Sequence, residues 1–217
     1  DAGRPAPWRK GGGGMTGPVY VITDADAPLP VAEQALAAAR GGAGLIQIRD
    51  KRATDAEIAA LVAQLLPRIA ELGSKLIVND RIEVALRTGA HGLHIGQSDG
   101  DVDEVRRRLP QGMLLGLSIE TVDQARRIPP GVDYIGAGPI RATATKPDHA
   151  APIGLDGLAA IVAAARLPTY AIGGIGPGDA RAVRAVGAVG LAVVSAVTRA
   201  PDPQAATTAL LAEWNAS

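Results

Sequence analysis

The sequence predicts an α/β fold, a single (β/α)8 TIM barrel, and three observations carry that reading. From Gly17 onward a short apolar strand, a polar or glycine-containing turn and an Ala/Leu/Val-rich helix recur eight times, at spacings that suit parallel strands joined by crossover helices. The first strand runs into TDADAPLP, not into the glycine fingerprint that opens a doubly wound nucleotide-binding sheet. The residues at the C-terminal ends of the strands are mostly polar or glycine although the strands are apolar, as expected where a barrel gathers its chemistry at one mouth.

Each unit follows from its residues. VYVITD (19–24) is the first strand and 31–40 its helix; GLIQIRD (44–50) leads to 54–71, and KLIVND (75–80) to 81–88. GLHIG (92–96) precedes a helix at 101–109, LLGLS (114–118) one at 121–128, and YIGAGPI (134–140) one at 155–166. TYAIGGI (169–175) is followed by 178–186, and GLAVVSAV (190–197) by 203–214. The strands are rich in β-branched residues, whereas the helices carry Arg, Asp or Glu opposite an apolar stripe. Gly41, Gly73, Gly89 and Gly187 follow four helices, where a left-handed cap is expected. Residues 18–217 thus form one catalytic domain. Residues 1–17, with their Pro, Gly run and scattered Arg, read as a flexible N-terminal tail or a tag remnant.

Composition excludes several functions. The 22 Lys plus Arg equal the 22 Asp plus Glu, so no global field draws the chain to nucleic acid or an acidic membrane. With no Cys, disulfides, thiolate catalysis and zinc-thiolate sites are absent. There is no apolar run of membrane-spanning length and no signal-peptide core, which gives a cytoplasmic expectation. Ser-His-Asp, Walker and HEXXH patterns are missing.

The strand ends supply the candidate chemistry. Alternation puts Gln47, Arg49 and Lys51 on one face, opposite Ile46 and Ile48, over a reach of about 13 Å that suits a diphosphate; a solvated strand end with an ion pair is the plainer reading. Asp80 and Asp99 follow neighbouring strands and suit one Mg2+ beside that anion, although either fits a helix cap, as does Asn79. Residues 138–154 form a long loop with Thr143, Thr145 and Lys146. Loops of that length are commonly binding loops, and Lys146 is one of only four Lys against eighteen Arg. Gly173, Gly174 and Ser195 end the last two strands, where barrels commonly hold a monophosphate. His94 reads as a packed, hydrogen-bonded core histidine. His91 and His149 gain no role, and Arg106, Arg107 and Arg108 read as a solvated helix face.

In order and spacing, QIRDK, VND, GLHIGQSD, the Ser118 strand end, GPIRATATK, AIGGI and VVSA resemble the thiamine-phosphate synthase family across residues 18–217. The resemblance implies a Mg2+-dependent alkyl transferase that joins 4-amino-2-methyl-5-hydroxymethylpyrimidine diphosphate to 4-methyl-5-hydroxyethylthiazole phosphate and releases diphosphate. It implies that Gln47, Arg49, Lys51, Asn79, Ser118 and Lys146 hold the pyrimidine diphosphate, with Arg49, Ser118 and Lys146 catalytic, and that Asp80 and Asp99 bind the metal. Thr143, Thr145, Gly174, Val194 and Ser195 would hold the thiazole phosphate. The partners are then small molecules, with no nucleic acid and no membrane; a homo-oligomer is left open. Two departures stand out: Arg141 where the family usually has an aromatic residue, and His91 in place of a common Asp. The rival readings are a thiazole tautomerase-like relative, another phosphate-binding barrel, and a non-catalytic sensor of thiamine intermediates.

Overall fold

The computed structural model describes residues 17–143 and 150–217. Eight parallel strands close into a barrel in sequence order: β1 (Val19–Ile22), β2 (Leu45–Ile48), β3 (Lys75–Asn79), β4 (Gly92–Ile95), β5 (Leu114–Ile119), β6 (Tyr134–Ala137), β7 (Thr169–Ile172) and β8 (Gly190–Val193). The seam between β8 and β1 pairs Tyr20 with Ala192. The expected (β/α)8 architecture is borne out.

The helices are α1 (Val31–Arg40), α2 (Asp55–Glu71), α3 (Ile82–Thr88), α4 (Val102–Arg108), α5 (Val122–Arg126), α6 (Gly154–Ala165), α7 (Ala180–Ala185), α8 (Ser195–Thr198) and α9 (Pro203–Ala216). Their starts are written in the sequence. Thr54 with Glu57, and Thr121 with Gln124, form capping boxes, while Asp101 and Asp202 accept from Glu104 N and Ala205 N, satisfying amides that a helix end leaves unpaired.

Alternation along the strands sorts two cores. Outward residues such as Val19, Val21, Ile46, Ile48, Leu76 and Val78 pack under the helices. Inward residues form a separate cluster of Tyr20, Ile22, Leu45, Ile77, Leu114, Tyr134, Tyr170 and Ala192. The three tyrosine rings meet edge to face, with centroids 5.4–6.0 Å apart, the arrangement that their quadrupoles favour. Gly116 makes room for them. A Cβ there would lie 2.2 Å from the Tyr134 ring and 2.4 Å from His94 Nδ1.

Three expectations need correction. The eighth strand stops at Val193 and does not reach Val197, because the chain turns at Val194 into α8; an unbroken apolar run does not mark that change of period. Gly41 is right-handed, with φ −74°; it is needed because α9 packs against it, leaving a Cβ only 2.6 Å from Thr207 Cβ. Gly73, Gly89 and Gly187 do have positive φ. Arg106 is no solvated side chain: it donates to the carbonyls of Met113, Leu109 and Pro110 and pairs with Asp133. Of the segment read as a tail, only Gly17 is described, and its carbonyl accepts from Tyr170 Oη at 2.8 Å.

Candidate active site

The C-terminal ends of the strands surround a cavity of about 620 Å3. Gln47, Arg49, Lys51, Asn79, Asp80, Asp99, Ser118, Thr143, Gly174, Val194 and Ser195 all line it, so the fold brings together every described residue that the sequence nominated. Thr145 and Lys146 lie outside the described residues.

β2 ends at Ile48, two residues earlier than the sequence suggests, yet the path continues. Thr23 N donates to Gln47 O at 3.0 Å, and Arg49 N donates to Thr23 Oγ1 at 2.9 Å. This extension of the β1–β2 pairing aims Gln47, Arg49 and Lys51 at the same cavity. Among the described residues neither Arg49 nor Lys51 makes an ion pair, which removes the ion-paired strand end as an account of them. Cations gathered at a concave site without a described acid in ion-pair range suit an anion.

Beside them stand the two acids. Asp80 has φ 50°, a left-handed conformation uncommon outside glycine, and its N–H is held by the His94 carbonyl at 2.9 Å. Burial, followed by the Asp99 charge, pushes its carboxyl up, while Lys51, Arg81 and Asn79 oppose the shift. Asp99 Oδ2 accepts from Gly96 N at 2.7 Å, which fixes its direction. Neither acid caps a helix. Asp80, its proton affinity raised by burial and by the neighbouring Asp99 charge, forms with half-enclosed Asp99 a donor set that a hard divalent cation would relieve. Among the described residues no cluster of three or more His, Cys, Asp or Glu is placed to hold a metal, so remaining ligands would come from substrate oxygens and water.

The opposite wall is glycine-rich. Gly173 and Gly174 have φ 93° and 65°, and a Cβ on Gly174 would lie 2.7 Å from Arg141 Cβ. The approach is close because Ile140 N and Arg141 N donate to the carbonyls of Ile172 and Gly173. Arg141 then forks onto Asp179 at 2.9 and 2.6 Å and donates to Gly174 O at 2.8 Å. Those bonds hold the Asp179 carboxyl below the usual carboxylate range, against the effect of its burial. The departure at Arg141 thus has a structural role: it ties the β6 and β7 loops together.

Sequence reasoning missed Tyr20, His94, Arg141 and Asp179 as cavity-lining residues. The expectation that His94 is packed and hydrogen-bonded holds, since its ring nitrogens meet Tyr134 Oη and Ser118 Oγ. Tyr20 and His94 share inward alternation with Gln47 and Ser118, and that period was the available signal. His91 gains a structural bond, its Nδ1 accepting from Leu76 N at 2.9 Å.

Fold and cavity define a (β/α)8 barrel with a charged, polar mouth, the class in which active-site residues come from the ends of different strands. The family described as "Thiamine monophosphate synthase" matches residues 19–197. A thiamine-phosphate synthase from a Roseiflexus species is 46% identical over 212 residues, 95% of this chain and 87% of the relative. That of Chloroflexus aurantiacus is 45% identical over 197 residues, 89% and 91% of the two chains. The solved thiamine phosphate pyrophosphorylase of Pyrococcus furiosus superposes with TM-score 0.84 at 34% identity, covering 92% and 96%. The chain belongs to the thiamine monophosphate synthase family and is an enzyme, as the motif order led us to expect. No described helix is long and apolar enough to cross a membrane.

Proposed function

We propose that the enzyme joins the aminopyrimidine diphosphate to the hydroxyethylthiazole phosphate. The bond from the pyrimidine methylene carbon to the diphosphate oxygen breaks, the thiazole nitrogen bonds to that carbon, and diphosphate departs with the electron pair. The observation that carries this reading is Arg49 and Lys51, which among the described residues have no acidic partner in ion-pair range, at one wall of the cavity beside the paired Asp80 and Asp99.

Arg49, Lys51 and Asn79 hold the diphosphate, with Lys146 as a further cation over it. Their charges favour the leaving anion more as the bond lengthens, which is where electrostatic stabilisation accelerates a reaction. Gln47 and Ser118 orient the pyrimidine. Gly174, Val194 and Ser195, with Thr143 and Thr145, hold the thiazole phosphate, so that the two rings meet without diffusing. A Mg2+ on Asp80 and Asp99 would neutralise diphosphate charge and improve the leaving group. No basic nucleophile is required, since the attacking nitrogen is the substrate's own.

The test mixes both phosphorylated substrates with and without Mg2+ and follows diphosphate and thiamine phosphate together. Equal formation of both, only with Mg2+ and lowered about 100-fold by Arg49→Ala, is expected. Folded protein that binds the thiazole phosphate yet forms no product would favour a tautomerase-like relative or a sensor. Retention of the Mg2+ requirement and of turnover in Asp80→Ala would remove the metal assignment.

A further inference from the structure

One unbroken string of polar side chains crosses the otherwise apolar barrel interior. Gln47 Nε2 donates to Tyr20 Oη at 2.5 Å; the Tyr20 and Tyr134 hydroxyls lie 2.9 Å apart; Tyr134 Oη meets His94 Nδ1 at 3.2 Å; His94 Nε2 meets Ser118 Oγ at 3.0 Å. Gln47, Tyr20, Tyr134 and His94 are 2%, 1%, 0% and 8% exposed, so these links are made within the protein rather than at its outer surface. The string is built into the fold. Gly116 lies in register with His94 on one side and Tyr134 on the other, and any side chain there would occupy the space in which those two meet.

A hydroxyl has one proton to give, and a neutral imidazole has one N–H and one acceptor nitrogen. The links are therefore not independent. With the Gln47 amide donating, Tyr20 gives its proton to Tyr134 and Tyr134 gives its own to His94 Nδ1. His94 then carries its proton on Nε2 and donates to Ser118, leaving the Ser118 proton to point at the cavity. Turning the Gln47 amide over would reverse every link, and Ser118 would offer the cavity only lone pairs.

We infer that Tyr20, Tyr134 and His94 are positioning residues that couple the Gln47 amide to the Ser118 hydroxyl, with polarity running from Gln47 to Ser118. The ligand consequence rests on the function proposed above. In this polarity Gln47 Oε1 remains to accept and Ser118 remains to donate, complementing an aminopyrimidine edge, whose amino group donates and whose ring nitrogen accepts. The oxo analogue, in which a carbonyl accepts and a ring N–H donates, matches only the reversed string. The barrel interior would thus select amino over oxo pyrimidines.

The test reads the His94 tautomer by nitrogen-15 NMR of histidine-labelled, ligand-free protein at pH 8, with His94→Gln assigning the signal. A single Nε2–H tautomer is expected in the wild type, becoming a mixture in Tyr134→Phe. Gln47→Glu, whose carboxylate can only accept, should move the proton to Nδ1 and so covers the case in which Tyr134→Phe fails to fold. An Nδ1–H wild type, or an unchanged tautomer in Tyr134→Phe, would overturn the coupling. In binding assays the preference for the aminopyrimidine diphosphate over its oxo analogue should fall about tenfold in Tyr134→Phe. Loss of the mixing reaction with the tautomer results intact would overturn the proposed function and leave the string standing.

Discussion

His94 is a base whose surroundings resist its charge. Burial pushes its pKa down to about 4, against the opposing pull of Asp99, whereas in the unfolded chain it titrates near the ordinary value of about 6.5. The unfolded state therefore binds the extra proton first as pH falls, and stability falls with it. The contribution is fully present above about pH 6.5 and is lost progressively towards about pH 4, amounting to about 3 kcal/mol. Urea unfolding at pH 7 and pH 5 should show about 2 kcal/mol of this loss in the wild type and a smaller change in His94→Gln. At this scale the sequence was informative where local alternation decided the outcome: Gln47 faces inward and His94 is packed, as expected. It was silent on what His94 meets, because Tyr134 lies 40 residues away and the Tyr20 to Tyr134 contact spans 114. Only barrel closure and register define those pairs.

The β6 and β7 loops behave as one element. Their backbones pair through Ile140 and Arg141, and the Arg141–Asp179 fork closes the free end. Arg141 is 53% exposed and Asp179 14%, so solvent screens the pair and its coupling should be about 1 kcal/mol. Arg141→Gln and Asp179→Asn should each lower stability by a similar amount, with the double variant little worse than either; a double-mutant cycle measures it. The same variants should raise the KM for the proposed thiazole phosphate substrate more than they lower kcat, because they loosen the wall that carries Gly174. GPIR and AIGGI could be read as neighbouring strand ends from the repeat count. Their pairing could not, since nothing local in either segment specifies the other. The overrun of the eighth strand has a related cause: LAVVSAV is apolar enough for a buried strand and for a buried helical turn alike.

Across the whole molecule, eight repeats were enough to imply closure, since an eight-stranded parallel sheet with helices outside has its two edges to satisfy. What the repeats could not give is how the last helix reaches back. Glu213 of α9 accepts from Gly178 N and Ala180 N, both at 2.9 Å, and so braces the turn beyond the glycine wall from outside the barrel. Glu213→Ala should leave the far-ultraviolet circular dichroism unchanged while raising the KM for the proposed thiazole phosphate substrate several-fold; an unchanged KM would show that the turn holds without it. At the opposite end of the strands, Gly17 is fastened to Tyr170 where the chain enters β1, a full strand length from the mouth. A surface tether, reporter or fusion partner joined ahead of Gly17 is therefore anchored on the base of the barrel, leaving the cavity turned towards solution.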